Sequence, residues 1–325
     1  MSTKDLVLKA LEENRDRYVS GQFLADSLSL SRTAIWKAIG LLRDEGYAID
    51  SVTNKGYRLD PNNDILTSQG IYPYLDDDIK DIDIFCYDTI DSTNTEAKRL
   101  LYSKRLKNFS ILISDEQTGG RGRFGRKFFS PKGSGIYISF VIFPKDNDVN
   151  FDLITIKAAT AVANSIKMRA KKNTKIKWVN DIYIDNKKVS GILTEADFDF
   201  ESMEVKSIIV GIGINFYNEN LDDDIKDIAT AINCKNLLRN EFIGTLINEF
   251  HKTCYEYKDE EILNMYKNLS LVLNKDIEFK KQDKILKAHV IDINDKGNLV
   301  VKYDDDSIDT LSSGEISLVK ESLFK

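Results

Sequence analysis

Hydrophobic positions in the first sixty residues recur at helical spacing and then switch to strand alternation. Leu6 to Asn14 predicts a first helix that buries Leu8 and Leu11, and Gln22 to Leu28 predicts a short second one. After a turn at Ser29-Leu30, Ser31 is placed to cap a helix running to Glu45, on which Ile35, Ile39 and Leu42 form one apolar stripe. Gly46 ends that helix, and Tyr47 to Leu59 alternates as a hairpin turning at Thr53-Asn54-Lys55-Gly56. This is the order of a winged helix-turn-helix, whose last helix is shaped for a DNA major groove. Its polar face offers Arg32, Thr33, Trp36 and Lys37, with Ser31 at the tip and Lys55 and Arg58 on the wing, as DNA-binding candidates. Some winged domains bind protein instead. Basic and acidic side chains cancel across this segment, so a lone copy should hold operator DNA weakly, which favours a dimeric binder.

Pro61 to Asp64 is a short polar linker, and from about 65 to 270 strand and helix patterns alternate. Strands are expected at Ile82–Tyr87, Ser110–Ser114, Ile136–Phe143, Ile176–Trp178, Asp181–Ile184, Lys188–Glu195 and Ser207–Ile212. Helices are expected at Asn94–Tyr102, Asn150–Lys171 and near Asn240–Tyr257, giving a mixed sheet with helices on one side. Residues 271–325 read as five short strands of a small SH3-like β-barrel. The expected architecture is therefore α+β and multidomain, divided at 1–62, 65–270 and 271–325.

Composition narrows the class. The 325 residues are 42% hydrophobic and 30% charged, as in a globular protein with a sizeable core. No apolar run reaches membrane-spanning length and the amphipathic start is unlike a signal peptide, so the expected location is the cytoplasm, with no membrane partner. Three distant cysteines suit reduced, mostly buried thiols, and two isolated histidines argue against zinc ligation or histidine-based catalysis. A net charge of −6 disfavours non-specific nucleic-acid binding by the whole chain.

Against that acidic background, Gly119 to Gly135 (GGRGRFGRKFFSPKGSG) concentrates Arg121, Arg123, Arg126, Lys127 and Lys132 among glycines. Glycine lets backbone approach a ligand, and arginine grips phosphate or carboxylate through paired donors. Gly120, Gly122 and Gly125 satisfy G-x-G-x-x-G, but that motif must lead into a helix, whereas Ile136 to Phe143 is a strand pattern. The segment reads as a lid between strands over a small anion. Three other segments admit plain structural readings. Thr93 with Glu96 makes a capping box, Lys177 to Leu193 makes a hairpin turning at Asp185-Asn186-Lys187 with a bulge at Gly191, and Val210 to Phe216 is a strand with two glycines.

Taken in order behind a winged helix, these segments resemble the bifunctional biotin protein ligases, the biotin operon repressors that also attach biotin. The resemblance rests on STN at Ser92–Asn94, QTGGRGRFGR at Gln117–Arg126, KWVND at Lys177–Asp181, KKVSGIL at Lys187–Leu193, GIGIN at Gly211–Asn215 and GEISL at Gly314–Leu318. It implies a class II synthetase-like ligase domain that joins biotin to ATP as biotinoyl-5′-AMP and then passes biotin to a lysine of a biotin carboxyl carrier domain. By the same resemblance, Ser92, Thr93, Asn94, Gln117, Thr118, Gly122, Arg123, Lys188 and Gly191 face biotin. Arg121, Arg123, Arg126, Asn180 and Asn215 face the nucleotide. Arg123, Lys188, Lys177 and Asp181 carry the chemistry, with Asp181 also placing Mg²⁺, and Glu315 and Ser317 are candidates in the C-terminal piece. The adenylate-bound form is expected to be a homodimer. Departures are Gly119 for a frequent alanine, Phe124 for a frequent arginine, Val179 for a frequent proline, Val319 for a frequent arginine, and an acidic run at Asp222–Asp224 where adenine would be covered. A lipoate-type ligase, or a biotin-sensing repressor with weak ligase activity, remains as the alternative.

Overall fold

The computed structural model describes residues 2–144, 149–199, 204–217, 227–281 and 284–319. Its contacts group into two compact units, one joining Met1–Asp81 with Lys235–Ile247, the other joining Ile82–Cys234 with Asn248–Lys325.

The first unit begins with α1 (Thr3–Glu12), α2 (Gly21–Ser27) and α3 (Arg32–Asp44), followed by a hairpin of β1 (Ile49–Val52) and β2 (Gly56–Leu59). Each helix starts at a serine, Ser2, Ser20 or Ser31, whose hydroxyl accepts an N–H of its first turn. Leu8 and Leu11 on α1 and Ile35, Ile39 and Leu42 on α3 are buried together, and burial of each such side chain is worth about 1.5–3 kcal/mol. The winged helix-turn-helix expected from the periodicity is present.

The chain after this hairpin is fastened to the same unit. Arg15 pairs with buried Glu12 and donates to the carbonyls of Asp60, Pro61 and Asn63. Asp64 forms a 2.8 Å ion pair with Arg239 at the start of α7 (Arg239–Tyr255), beyond the short α4 (Ser68–Ile71).

The second unit is built on a seven-stranded sheet. Its strands are β3 (Ile84–Ile90), β4 (Ser110–Gln117), β5 (Gly135–Ile142), β6 (Lys175–Lys177), β7 (Asp181–Ile184), β8 (Lys187–Asp199) and β9 (Glu204–Asn215), in the order β3-β4-β5-β9-β8-β7-β6. Only β3 and β4 run parallel, so the sheet is mixed. Register assigns the faces, because side chains alternate along a strand and directly paired residues share a side. Ser139, Leu193, Ile209 and Gly211 lie on one face, and α5 (Thr93–Tyr102) packs there through Ala97 and Leu100. Thr194, Val210 and Ile212 lie on the other, where α6 (Ile154–Ala170) meets the sheet through the Thr155–Thr194 hydroxyl contact of 2.8 Å.

Helices therefore cover both faces, which corrects the expected one-sided layer. The physical reason is that β5 and the middle of β9 are buried on both sides and need cover on each. A further helix that the apolar pattern had not suggested, α8 (Asp259–Leu269), buries Ile262 and Tyr266 beside α6.

The C-terminal strands β10 (Asp276–Lys281), β11 (Lys284–Ile293), β12 (Leu299–Lys302), β13 (Ile308–Leu311) and β14 (Ile316–Leu318) form a five-stranded antiparallel sheet, ordered β13-β12-β11-β10-β14. The turn between β11 and β12 is held where the Gly297 carbonyl accepts the Trp178 indole N–H at 2.9 Å. Any side chain at Gly297 would strike Ile156, so this turn seats closely on α6.

Candidate active site

One cavity of about 160 Å³ opens on the α5 face of the large sheet. Period-two alternation places Lys177, Asp181, Gly191, Gly211 and Gly213 on that face, in paired register across β6, β7, β8, β9. The cavity has two chemically distinct ends.

The neutral end is built by the start of α5. Ser92 is its N-cap residue, but its side chain makes no capping bond, and the expected Thr93–Glu96 capping box is absent. Glu96 instead pairs with Arg99, and the Ser92, Thr93 and Asn94 side chains line the cavity while remaining almost wholly buried. Gln117 Oε1 accepts the Thr93 N–H at 2.9 Å, and its amide donates to Ser130 Oγ at 3.1 Å. Glycines make the room. A Cβ on Gly211 would come 2.3 Å from Asn94 Oδ1, and one on Gly213 would come 2.5 Å from the Phe128 ring.

The cationic end gathers Arg121, Arg123, Arg126, Lys127, Lys177 and Lys188 against Asp181 and Glu315. In a chain of net charge −6, this local excess of positive charge favours an anionic ligand. Burial pushes the Lys177 ammonium down from the usual lysine range, while Asp181 and Glu315 act in the opposite sense. Lys188 Nζ lies 2.8 Å from Asp181 Oδ1, yet that oxygen is buried without a well-directed hydrogen bond. The contact is thus ionic rather than a directed bond, and Lys188 remains disposed to take a better acceptor.

The glycine–arginine run closes over this end as a narrow loop. Gly122 N–H donates to the Arg126 carbonyl at 2.7 Å and Phe128 N–H to the Gly120 carbonyl at 3.0 Å. A side chain at Gly120 would lie 2.4 Å from the Phe128 carbonyl oxygen, so glycine is required there. Arg123 donates to Asn180 Oδ1 at 2.9 Å, and Arg126 makes two 2.7 Å contacts with the Glu315 carboxylate. Phe124 has a left-handed backbone (φ 56°) and is 67% exposed, its ring lying under the Arg123 guanidinium at 5.0 Å.

The cavity thus brings together Ser92, Thr93, Asn94, Gln117, Arg121, Gly122, Arg123, Arg126, Lys177, Asn180, Asp181, Lys188 and Gly191. Two of the biotin- and nucleotide-facing candidates stand outside its lining. Thr118 is exposed, with its N–H donated to the Ile90 carbonyl. Asn215 donates to the Thr230 carbonyl at 3.1 Å, and its own carbonyl accepts the Ile232 N–H, so it ties the returning chain to the end of β9. Gly191 is not a bulge. It pairs directly with Asp181 and Gly213, and the register shift falls at Val189, between Lys188 and Ser190. A Cβ at Gly191 would sit 3.1 Å from the Lys188 ammonium, which accounts for glycine there. Of the C-terminal candidates, Glu315 lines the cavity beside Gly314 and Ile316, whereas Ser317 does not. The acidic run Asp222–Asp224 lies outside the described residues. Lining residues that the sequence reading did not single out include Phe128, Trp178 and Leu193.

In the first unit, Ser31, Arg32, Thr33, Trp36 and Lys37 are exposed on α3, with Trp36 67% accessible. Lys55 is exposed at the wing tip, but Arg58 is half-buried, paired with Asp50 at 3.1 Å and stacked over Tyr18 at 4.6 Å.

A sheet-borne cavity with a neutral polar end, a cationic loop and two lysines, in a chain that also carries a winged helix, fits a ligase joined to a DNA-binding module. Comparison with known proteins agrees. Residues 86–215 match the Biotin/lipoate A/B protein ligase family, 3–58 match an HTH domain, and 272–319 match the Biotin protein ligase C terminal domain. The chain is 38% identical over 231 residues to the bifunctional ligase/repressor BirA of Bacillus spizizenii, covering 70% of each. It is 28% identical over 98% of each chain to the Escherichia coli protein of the same name. The solved biotin protein ligase of Aquifex aeolicus, in complex with biotin and ATP, superposes with a TM-score of 0.62 at 27% identity, covering 73% of this chain and 98% of that one. The chain belongs to the biotin protein ligases, in their bifunctional ligase/repressor branch. No helix among the described residues is long and apolar enough to cross a membrane.

Proposed function

We propose that the cavity binds biotin and ATP, makes biotinoyl-5′-AMP, and transfers biotin to one lysine of a biotin carboxyl carrier domain. The observation that carries this reading is the pairing of the two ends. A urea needs both donors and acceptors, which the hydroxyls of Ser92 and Thr93 and the amides of Asn94 and Gln117 supply. The carboxylate tail and the phosphates need positive charge, which Arg121, Arg123, Arg126, Lys177 and Lys188 supply.

In the first step a biotin carboxylate oxygen attacks the α-phosphorus and pyrophosphate leaves. In the second, the carrier's ε-amine attacks the acyl carbon, the acyl–phosphate bond breaks, and AMP leaves as the amine loses its proton. No protein nucleophile is needed. Lys188 and Arg123 hold the carboxylate and phosphate oxygens as charge moves between them, and Lys177 steadies the leaving phosphates. Asn180 keeps Arg123 aimed through their 2.9 Å contact. Asn215 acts by fastening residues 230–232, not by touching the nucleotide.

Magnesium would be held with phosphate oxygens at Asp181, whose buried Oδ1 lacks a directed hydrogen bond and is a hard donor of the type this ion takes. It would offset phosphate charge. The loop at Gly119–Lys127 shields the adenylate from water until the carrier arrives.

The exposed α3 face, with Arg32, Thr33, Trp36 and Lys37, reads operator DNA, helped by Ser31 and by Lys55 on the wing. Arg58 acts mainly by bracing that wing. Two copies, paired in the adenylate-bound state, would reach two half-sites.

A lipoate ligase is disfavoured by the neutral end, since a dithiolane ring offers no donor or acceptor to the hydroxyls and amides of Ser92, Thr93, Asn94 and Gln117 that line it. The test is incubation with ATP, magnesium and a carrier domain, supplied with biotin or lipoate. Biotin on the carrier lysine is expected. Lipoate on it would overturn the reading in favour of the lipoate alternative, and no acylation at all in favour of the weak-ligase repressor.

A further inference from the structure

We propose that Glu195 and Ser139 are positioning residues that fix the orientation of the Asn94 amide, and through it the selectivity of the neutral end for a ureido group. Neither residue lines the cavity. The inference rests on the reading of Ser92–Asn94 as the biotin head site.

Asn94 sits in a cradle made for an amide of one orientation. Its Nδ2 donates to Glu195 Oε2 at 2.8 Å and reaches the Leu193 carbonyl at 3.4 Å. Ser139 Oγ, fully buried, donates to Asn94 Oδ1 at 2.6 Å. Opposite them, Gly211 leaves the space that the amide fills.

A carboxylate only accepts, so Glu195 compels the NH₂ side of Asn94 to face it and the oxygen to face Ser139. Partial burial raises the Glu195 pKa, but the bonds from Lys98 and Asn94 and the Lys98 charge outweigh it, holding the carboxyl below its ordinary value and ionised near neutrality. Lys98 Nζ takes the other oxygen, Oε1, at 2.6 Å.

The setting passes on to Thr93. Ser139 Oγ also lies 2.7 Å from Thr93 Oγ1, and Thr93 Oγ1 lies 3.2 Å from Gln117 Oε1. Ser139 has a single proton. With it committed to Asn94, Thr93 keeps its own proton for Gln117 Oε1, which can only accept, or turns it toward Ser139 or a ligand. Reversing the Asn94 amide would present NH₂ to Ser139, remove that constraint and scramble the donor–acceptor pattern that a urea must match.

Glu195→Gln keeps the shape but supplies an amide that can donate or accept, so Asn94 is no longer held one way. Ser139→Ala removes the opposite partner, so the claim does not depend on one variant folding. Lys98→Gln leaves the Asn94 partner in place but removes part of what keeps Glu195 ionised, so its biotin affinity should match the parent at mildly alkaline pH and fall as pH is lowered. Biotin Kd, ATP KM, the melting temperature of the free protein, and the affinity ratio of biotin to 2-iminobiotin are measured for parent and variants.

The expected result is roughly a tenfold or greater loss of biotin affinity in Glu195→Gln and Ser139→Ala, with ATP KM and melting nearly unchanged. The biotin preference over iminobiotin, whose guanidine replaces the urea oxygen, should shrink in the same two variants. Biotin affinity within twofold of the parent in either folded variant, or an equal loss toward ATP, would overturn the positioning role. Failure of the parent itself to bind biotin would instead remove the site reading beneath it.

Discussion

Lys177 shows how the fold sets the chemistry of one side chain. Burial pushes its ammonium down, and Asp181 and Glu315 only partly restore it, so it loses its proton at a lower pH than an exposed lysine. If the cation grips phosphate, kcat/KM for ATP should fall on the alkaline side before ordinary lysines titrate, because that ratio reports the free enzyme. Lys177→Arg, which stays charged, should move the falling limb to higher pH even if it lowers the plateau. A pH profile whose alkaline limb is the same in both proteins would remove Lys177 from the phosphate site. At this scale the sequence was informative where residue type implied chemistry, as for the loop arginines and Lys188. It was silent on Glu195 and Ser139, which act through Asn94. Their signal was present as alternation: Glu195 stands two strand positions beyond Leu193 and four beyond Gly191, on the same face.

At the scale of elements, the apolar periodicity gave the helices α1, α3 and α6 and most strands to within a few residues. Misreadings arose where one residue serves two masters. Gly191 looked like a bulge because glycine weakens a strand, but its missing side chain leaves space for the Lys188 tip. Thr93 looked like a cap, yet its hydroxyl lies among Gln117 and Ser139. Helices on both faces escaped notice because β5, buried at every position, carries no alternation to assign a side. The loop and the C-terminal sheet meet through Arg126 and Glu315, both largely exposed, so their pair should contribute no more than about 1 kcal/mol to stability. Its effect belongs to loop order. Glu315→Gln should leave the melting temperature almost unchanged while hydrogen exchange in residues 120–127 of the free protein quickens several-fold. Unchanged exchange in that loop would show that the pair does not restrain it.

The whole molecule joins a winged helix to a ligase, and the two functions need a shared signal. The proposed adenylate is both the intermediate and the ligand that would order the cationic loop, so occupancy of one site can report to the other. Balanced charge across the winged helix would leave a single copy a weak DNA binder, which is the basis for proposing a ligand-dependent dimer. In a gel shift with the protein's own upstream biotin-gene DNA, biotin plus ATP should tighten binding at least tenfold. Trp36→Ala or Arg32→Ala should abolish the shift without altering ligation. Equal DNA affinity with and without the two substrates would separate the halves functionally.

The most direct test of the account is the lifetime of the activated vitamin in the cavity. Protein incubated with biotin, magnesium and α-labelled ATP, then freed of excess substrate, should retain close to one labelled biotinoyl-AMP per active site, and a carrier domain should discharge it. Arg123→Ala should release the same species into solution many times faster, because its guanidinium and the loop it anchors through Asn180 hold the adenylate. Equal retention by parent and variant, or no adenylate from the parent at all, would contradict the central claim.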